Sequence, residues 1–152
     1  MKKLIWLAVL LMLLATAYFI YDHFKPAHVD KEIHGLLYSN VSSFEKEIII
    51  HLQGTIHKKM FQRPVMTGTL ILDHDIEYEI ILHQDDDRYF GVFTIESDEG
   101  RLQTVGSMLL SNTLHQTWIQ SDEINSRYDL VEGYVSGPAN HAEEANNIAR
   151  VF

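Results

Sequence analysis

No cysteine occurs in the 152 residues. That excludes disulfide bonds, thiolate metal sites, a cysteine nucleophile and a lipid-modified cysteine anchor, and an exported domain of this composition must hold together by packing. Catalytic signatures are also missing: there is no G-x-S-x-G, no Gly-rich phosphate loop, no H-E-x-x-H and no H-x-H. No spacing of serines and histidines selects a triad, so no catalytic residue is assigned. Basic charge is scarce beyond residue 25, where nine Lys and Arg face twenty Asp and Glu. So acidic a segment is unsuited to nucleic acid.

Eighteen consecutive uncharged residues, Leu4 to Tyr21, follow Lys2 and Lys3. As a helix rising about 1.5 Å per residue they span roughly 27 Å, close to the ~30 Å hydrocarbon thickness of a bilayer. The lysines belong on the cytoplasmic side, which predicts a single-pass signal-anchor over residues 1–23 with everything after it outside the cell membrane. Such a chain contacts the membrane through residues 4–21. The competing reading is a signal peptide cut after Ala17, in the A-x-A motif Ala15-Thr16-Ala17, with a secreted product. Against cleavage, the apolar run continues through Tyr18, Phe19, Ile20 and Tyr21, aromatics that suit the outer interface. The short lysine-led anchor and the lack of disulfides agree with a bacterial cell envelope.

Residues 24–32, around Pro26, read as a stalk, and residues 33–152 as one β-rich domain. Lys46 to Leu52 puts Ile48, Ile50 and Leu52 on one face. Glu77 to His83 alternates Tyr78, Ile80 and Leu82 with Glu77 and Glu79, the pattern of a sheet with one wet face. Gly54 reads as a bulge within a longer strand. Polar turns at Asp73-His74-Asp75, Gln84 to Asp87 and Ser97 to Gly100 separate the strands, and links this short predict an antiparallel meander. After Ser136-Gly137-Pro138, the spacing of Ala142, Ala145, Ile148, Ala149 and Phe152 predicts a helix over 141–152, capped by Asn140 with Glu143. The expected fold is mainly β (α+β): an antiparallel meander sheet or partial barrel closed by a short C-terminal helix.

Nine histidines raise the question of metal. His74 and His83 fall at opposite ends of one predicted strand, some 30 Å apart at ~3.3 Å per residue, so they cannot share an ion. Alternating turns should bring Asp73, Asp75, Asp98 and Glu99 to one end of the sheet, with Asp85, Asp86 and Asp87 at the other. The first four are the candidate ligands, with calcium the ion their oxygens suit, although Asp also belongs in turns for its own backbone-bonding reasons. His57, Lys58, Lys59 and Arg63 form the basic cluster of the external domain, a solvated hairpin loop or a contact for phosphate headgroups or a wall polymer. The sequence points to a membrane-tethered, non-enzymatic module that binds an envelope protein or ligand. The alternative is an envelope hydrolase with a carboxylate/histidine site assembled from distant residues.

Overall fold

The alternation of apolar and polar residues is realised as a closed barrel. The computed structural model describes residues 2–96 and 101–152. Helix α1 (Lys2–Phe24) leads into β1 (Ala27–Ser39), β2 (Glu45–His57), β3 (Val65–Leu72), β4 (Ile76–Asp85), β5 (Arg88–Glu96), β6 (Leu102–Ser111) and β7 (Thr117–Ser121). Helix α2 (Asp122–Arg127), strand β8 (Gly133–Gly137) and helix α3 (Ala142–Val151) follow. Each strand pairs antiparallel with the next, and β8 returns to β1, Leu36–Ser39 against Ser136–Gly133. The meander is therefore a fully closed eight-stranded barrel.

Period-two burial explains the closure. On β4, Ile76, Tyr78, Ile80 and Leu82 are buried while Glu77, Glu79, Ile81 and His83 are exposed. The inward sets of all the strands meet in one core that includes Leu37, Ile50, Leu52, Leu70, Phe93, Met108 and Ile119. Tyr78 and Phe93 stack at 4.9 Å within it. An eight-stranded barrel is just narrow enough for side chains to fill. Strand β1 departs from strict alternation because both of its faces are covered. Ile33 and Leu37 face the core, whereas Leu36 and Tyr38 form a second apolar cluster with Ala139, Ala145 and Ile148.

That second cluster corrects one expectation. Helix α3 does not close an end of the barrel; it lies on the outer wall against β8, β1 and β7. The closing element is α2, whose Ile124 enters the core, with Phe44, Tyr128 and Leu130 packed against the same cluster. The cap of α3 is also shifted by one residue. His141 is the N-cap without a side-chain bond, and Glu144, not Glu143, accepts from the Asn140 N–H at 2.9 Å. Gly54 is no bulge: it pairs in register with Gly68, and a Cβ on Gly68 would lie 2.0 Å from the Gln53 carbonyl oxygen. Most of the expected stalk is strand, since β1 begins at Ala27 opposite Ile56.

The turns alternate between two ends. The β1–β2 and β3–β4 turns and the α2 connection share one end; the β2–β3, β4–β5 and β6–β7 turns share the other, where α1 joins β1. Along α1, Trp6, Leu10, Leu11, Leu13, Leu14 and Phe19 are all exposed. Among the described residues, no helix is long and apolar enough to cross a membrane.

Candidate binding groove beside the C-terminal helix

Strand β7 turns Thr117, Ile119 and Ser121 inward, which directs Trp118 to the outer wall. Trp118 pairs with Leu109 of β6 on one side and with Ser136 of β8 on the other. Two residues before Ser136, on the same face, Tyr134 sits directly opposite Tyr38 of β1. Diagonal neighbours on one face of a sheet are within reach of aromatic rings. Trp118 and Tyr134 accordingly stack, with centroids 5.3 Å apart and planes 25° from parallel, and Tyr38 lies 6.0 Å from Tyr134. Tyr38 is buried beneath α3 and receives a hydrogen bond from Ser136 Oγ at 3.5 Å. Trp118 and Tyr134 remain partly open to solvent.

Where α3 crosses this aromatic row, a groove of about 260 Å³ opens, lined by Tyr38, Asn40, Leu109, Trp118, Tyr134, Asn146 and Ala149. Its lining carries no carboxylate, ammonium, guanidinium or imidazole. Among the described residues, the side-chain amides of Asn40 and Asn146, the Trp118 indole N–H and the Tyr134 hydroxyl have no hydrogen-bond partner within the protein. Partial burial, with Glu132 nearby, raises the Tyr134 pKa, so the phenol is neutral and can both donate and accept. The groove therefore combines a flat aromatic surface with neutral donors and acceptors.

The α2 end is built differently, from paired charges. Lys46 of β2 forms an ion pair with Asp73 and donates to the Tyr128 hydroxyl at 2.8 Å, while Tyr128 donates to Asp73 at 2.6 Å. These two hydrogen bonds hold the Asp73 carboxyl below its ordinary pKa. Asp75 accepts from Arg127 of α2 at 2.6 Å. Beside them, Ser121 caps α2 by accepting from the Ile124 N–H, and its Oγ lies 2.6 Å from the Tyr78 hydroxyl. Tyr78 in turn donates to Glu123 at 3.1 Å, and burial pushes its pKa up to about 12.

Of the candidate metal ligands, Asp73 and Asp75 do share one end of the barrel, but each already has a cationic partner. Asp98 and Glu99 lie outside the described residues. Among the described residues no group of three or more His, Asp or Glu side chains could hold a metal ion. His74 lies in the β3–β4 turn and His83 near the far end of β4, as their spacing implied. A second groove of about 440 Å³ on the outer wall gathers His34, Glu47, Asp73 and His74 beside Asn140. Asp73 in this groove is the carboxylate that Lys46 and Tyr128 already engage.

Trp118 falls in an expected strand, and no sequence motif marks Tyr38, Tyr134 or Asn146 as part of a site. The available signal was phase: Trp118 alternates with inward Ile119, so a large aromatic had to stand on the outer wall. Compared with protein-family models, curated proteins and solved structures, the chain matches none.

Proposed function

We propose that this protein is a membrane-tethered, extracytoplasmic binding module, non-enzymatic, with α1 as the tether and the groove beside α3 as the ligand site. The observation that carries the binding reading is the stacked Trp118–Tyr134 pair, partly exposed and surrounded by unpaired amides. A flat aromatic surface offers apolar contact to one side of a ring-shaped ligand, while the Asn40 and Asn146 amides supply hydrogen bonds at its edge. With no ionised side chain in the lining, a neutral hydroxyl-rich ligand fits best, and a saccharide unit of an envelope polymer has that chemistry. The tether reading is supported by the apolar side chains that α1 exposes around its length, a surface that favours lipid over water.

The hydrolase alternative would rest on the His34–Glu47–His74 groove. Asp73 there is held as a charged ion-pair partner, a poor state for a general acid near neutral pH. The test of the binding reading is titration of the protein with neutral envelope oligosaccharides, followed by tryptophan fluorescence and by saturation-transfer NMR. Saturable binding that Trp118→Ala weakens at least tenfold, with the melting temperature retained, is the expected result. Equal binding by wild type and Trp118→Ala, or no binding to either, overturns the assignment of the groove.

A further inference from the structure

The β2–β3 hairpin loop places apolar side chains in an improbable position. Residues 58–64 connect β2 to β3, and the Gln62 N–H bonds to the Lys59 carbonyl at 3.3 Å, closing a four-residue turn with Met60 and Phe61 at its tip. Phe61 occupies the left-handed region at φ 61°, where a turn ordinarily takes Gly or Asn. Its side chain is 99% exposed, and Met60 beside it is also exposed. Lys58 and Lys59 precede this apolar tip and Arg63 follows it.

Topology puts this loop next to the tether. Ala27 pairs with Ile56, so β1 enters the barrel beside the end of β2, and only Lys25 and Pro26 separate it from α1. Two residues reach at most about 7 Å. The loop and the junction of α1 with β1 therefore lie at the same end of the barrel. Charge is distributed to match. The loop itself gathers Lys58, Lys59 and Arg63, whereas the rest of residues 26–152 holds six Lys and Arg against twenty Asp and Glu. Arg63 is ion-paired with Asp85, which ties the loop to the neighbouring β4–β5 turn and leaves Lys58 and Lys59 to face outward.

We infer that the 58–63 loop is a second membrane contact: Met60 and Phe61 enter the interfacial layer while Lys58 and Lys59 engage the phosphates of anionic lipids. Aromatic side chains favour the headgroup region, and a lysine near an anionic surface is attracted over about a Debye length. One tether alone leaves the barrel free to tumble. Tether and loop together fix the barrel with its α1 end on the bilayer and its α2 end outward. This inference rests on α1 being the tether.

Because the chain has no cysteine, Met60→Cys introduces a unique site for an environment-sensitive fluorophore. Val131→Cys, at the opposite end and 84% exposed, serves as the reference. The full chain is reconstituted into phosphatidylglycerol-containing vesicles, and a headgroup nitroxide lipid is used as quencher. The expected result is co-flotation with the vesicles, with at least twofold more quenching at position 60 than at 131. Adding Phe61→Asp, or Lys58→Glu with Lys59→Glu, should abolish that difference at an unchanged melting temperature. Co-flotation with equal quenching at both positions overturns the loop contact and leaves the tether intact. Protein that does not float overturns both.

Discussion

Ile148→Asp tests whether α3 is an integral part of the domain. Ile148 is 6% exposed and packs with Ala145 over Leu36 and Tyr38 on the outer wall. Losing its burial costs about 1.5–3 kcal/mol, and a carboxylate pressed against Leu36 and Tyr38 costs several more. The helix has an escape, however, because it lies outside the barrel and can lift away. The penalty therefore saturates at the docking free energy of a ten-residue helix with two buried apolar side chains, Ala145 and Ile148, and two partly buried ones, Ala142 and Ala149, followed by the partly buried Phe152. That limit is on the order of 3 kcal/mol, and for a domain of this size it lowers the melting temperature by about 10 °C. Undocking should also remove helical circular dichroism, since so short a helix frays alone. It should unstack the Trp118 environment, seen as a red-shifted emission. Asn147→Ala, on the exposed side of α3, should stay within about 0.5 kcal/mol of wild type. A melt of Ile148→Asp coinciding with that of Asn147→Ala would refute the docking argument.

Gly68→Ala should destabilise the barrel by roughly 1–3 kcal/mol in thermal melts, because the new methyl meets the Gln53 carbonyl and the Gly54 Cα across the β2–β3 seam. Ser121→Ala removes the cap of α2 and the contact to Tyr78 together, with an expected loss of about 1–2 kcal/mol by chemical denaturation. Lys46→Met should show a pH-dependent deficit. The folded pKa of Asp73 lies below its unfolded value of about 3.9, so its contribution is fully present above that pH and lost as pH falls through the folded value. For Lys46, partial desolvation acts downward but the bonds to Asp73 and Tyr128 outweigh it, and the raised pKa gives a contribution lost only as pH rises above about 10. The gap in melting temperature between wild type and Lys46→Met should therefore be widest from about pH 5 to 9 and should shrink toward pH 2; a gap independent of pH would remove the ion pair from the account.

Local patterns were legible, and long-range ones were not. Period-two alternation identified β2 and β4, and Asp-rich turns marked where they reverse. Closure depends on β1 meeting β8, which no neighbouring residues announce; the apolar run Leu36-Leu37-Tyr38 signals only that β1 is covered on both faces, by the core and by α3. Helix α2 is only six residues long and holds a single buried apolar side chain, so no helical stripe could form. Its signal was capping chemistry, Ser121 followed by Asp122 and Glu123. The groove is not legible in the sequence because Tyr38, Trp118 and Tyr134 are far apart along the chain and converge only across three strands. The carboxylates Asp73 and Asp75 were correctly placed at one end, but their cationic partners come from β2 and α2, elements whose proximity the sequence does not state.

Joining the first strand to the last has a consequence for the order in which the chain can fold. Leu36 meets Ser136, so about a hundred residues must be delivered before the wall is sealed. Closing a loop of that length costs several kcal/mol of chain entropy, which pairing recovers only at the final step. Until then β1 carries an open hydrogen-bonding edge, and Leu36 and Tyr38 wait uncovered for a helix that lies still further along the chain. A polypeptide emerging N-terminus first thus passes through its most adhesive state just before completion. Truncation within β8 or α3 should leave that state permanent, giving aggregation rather than a smaller folded domain.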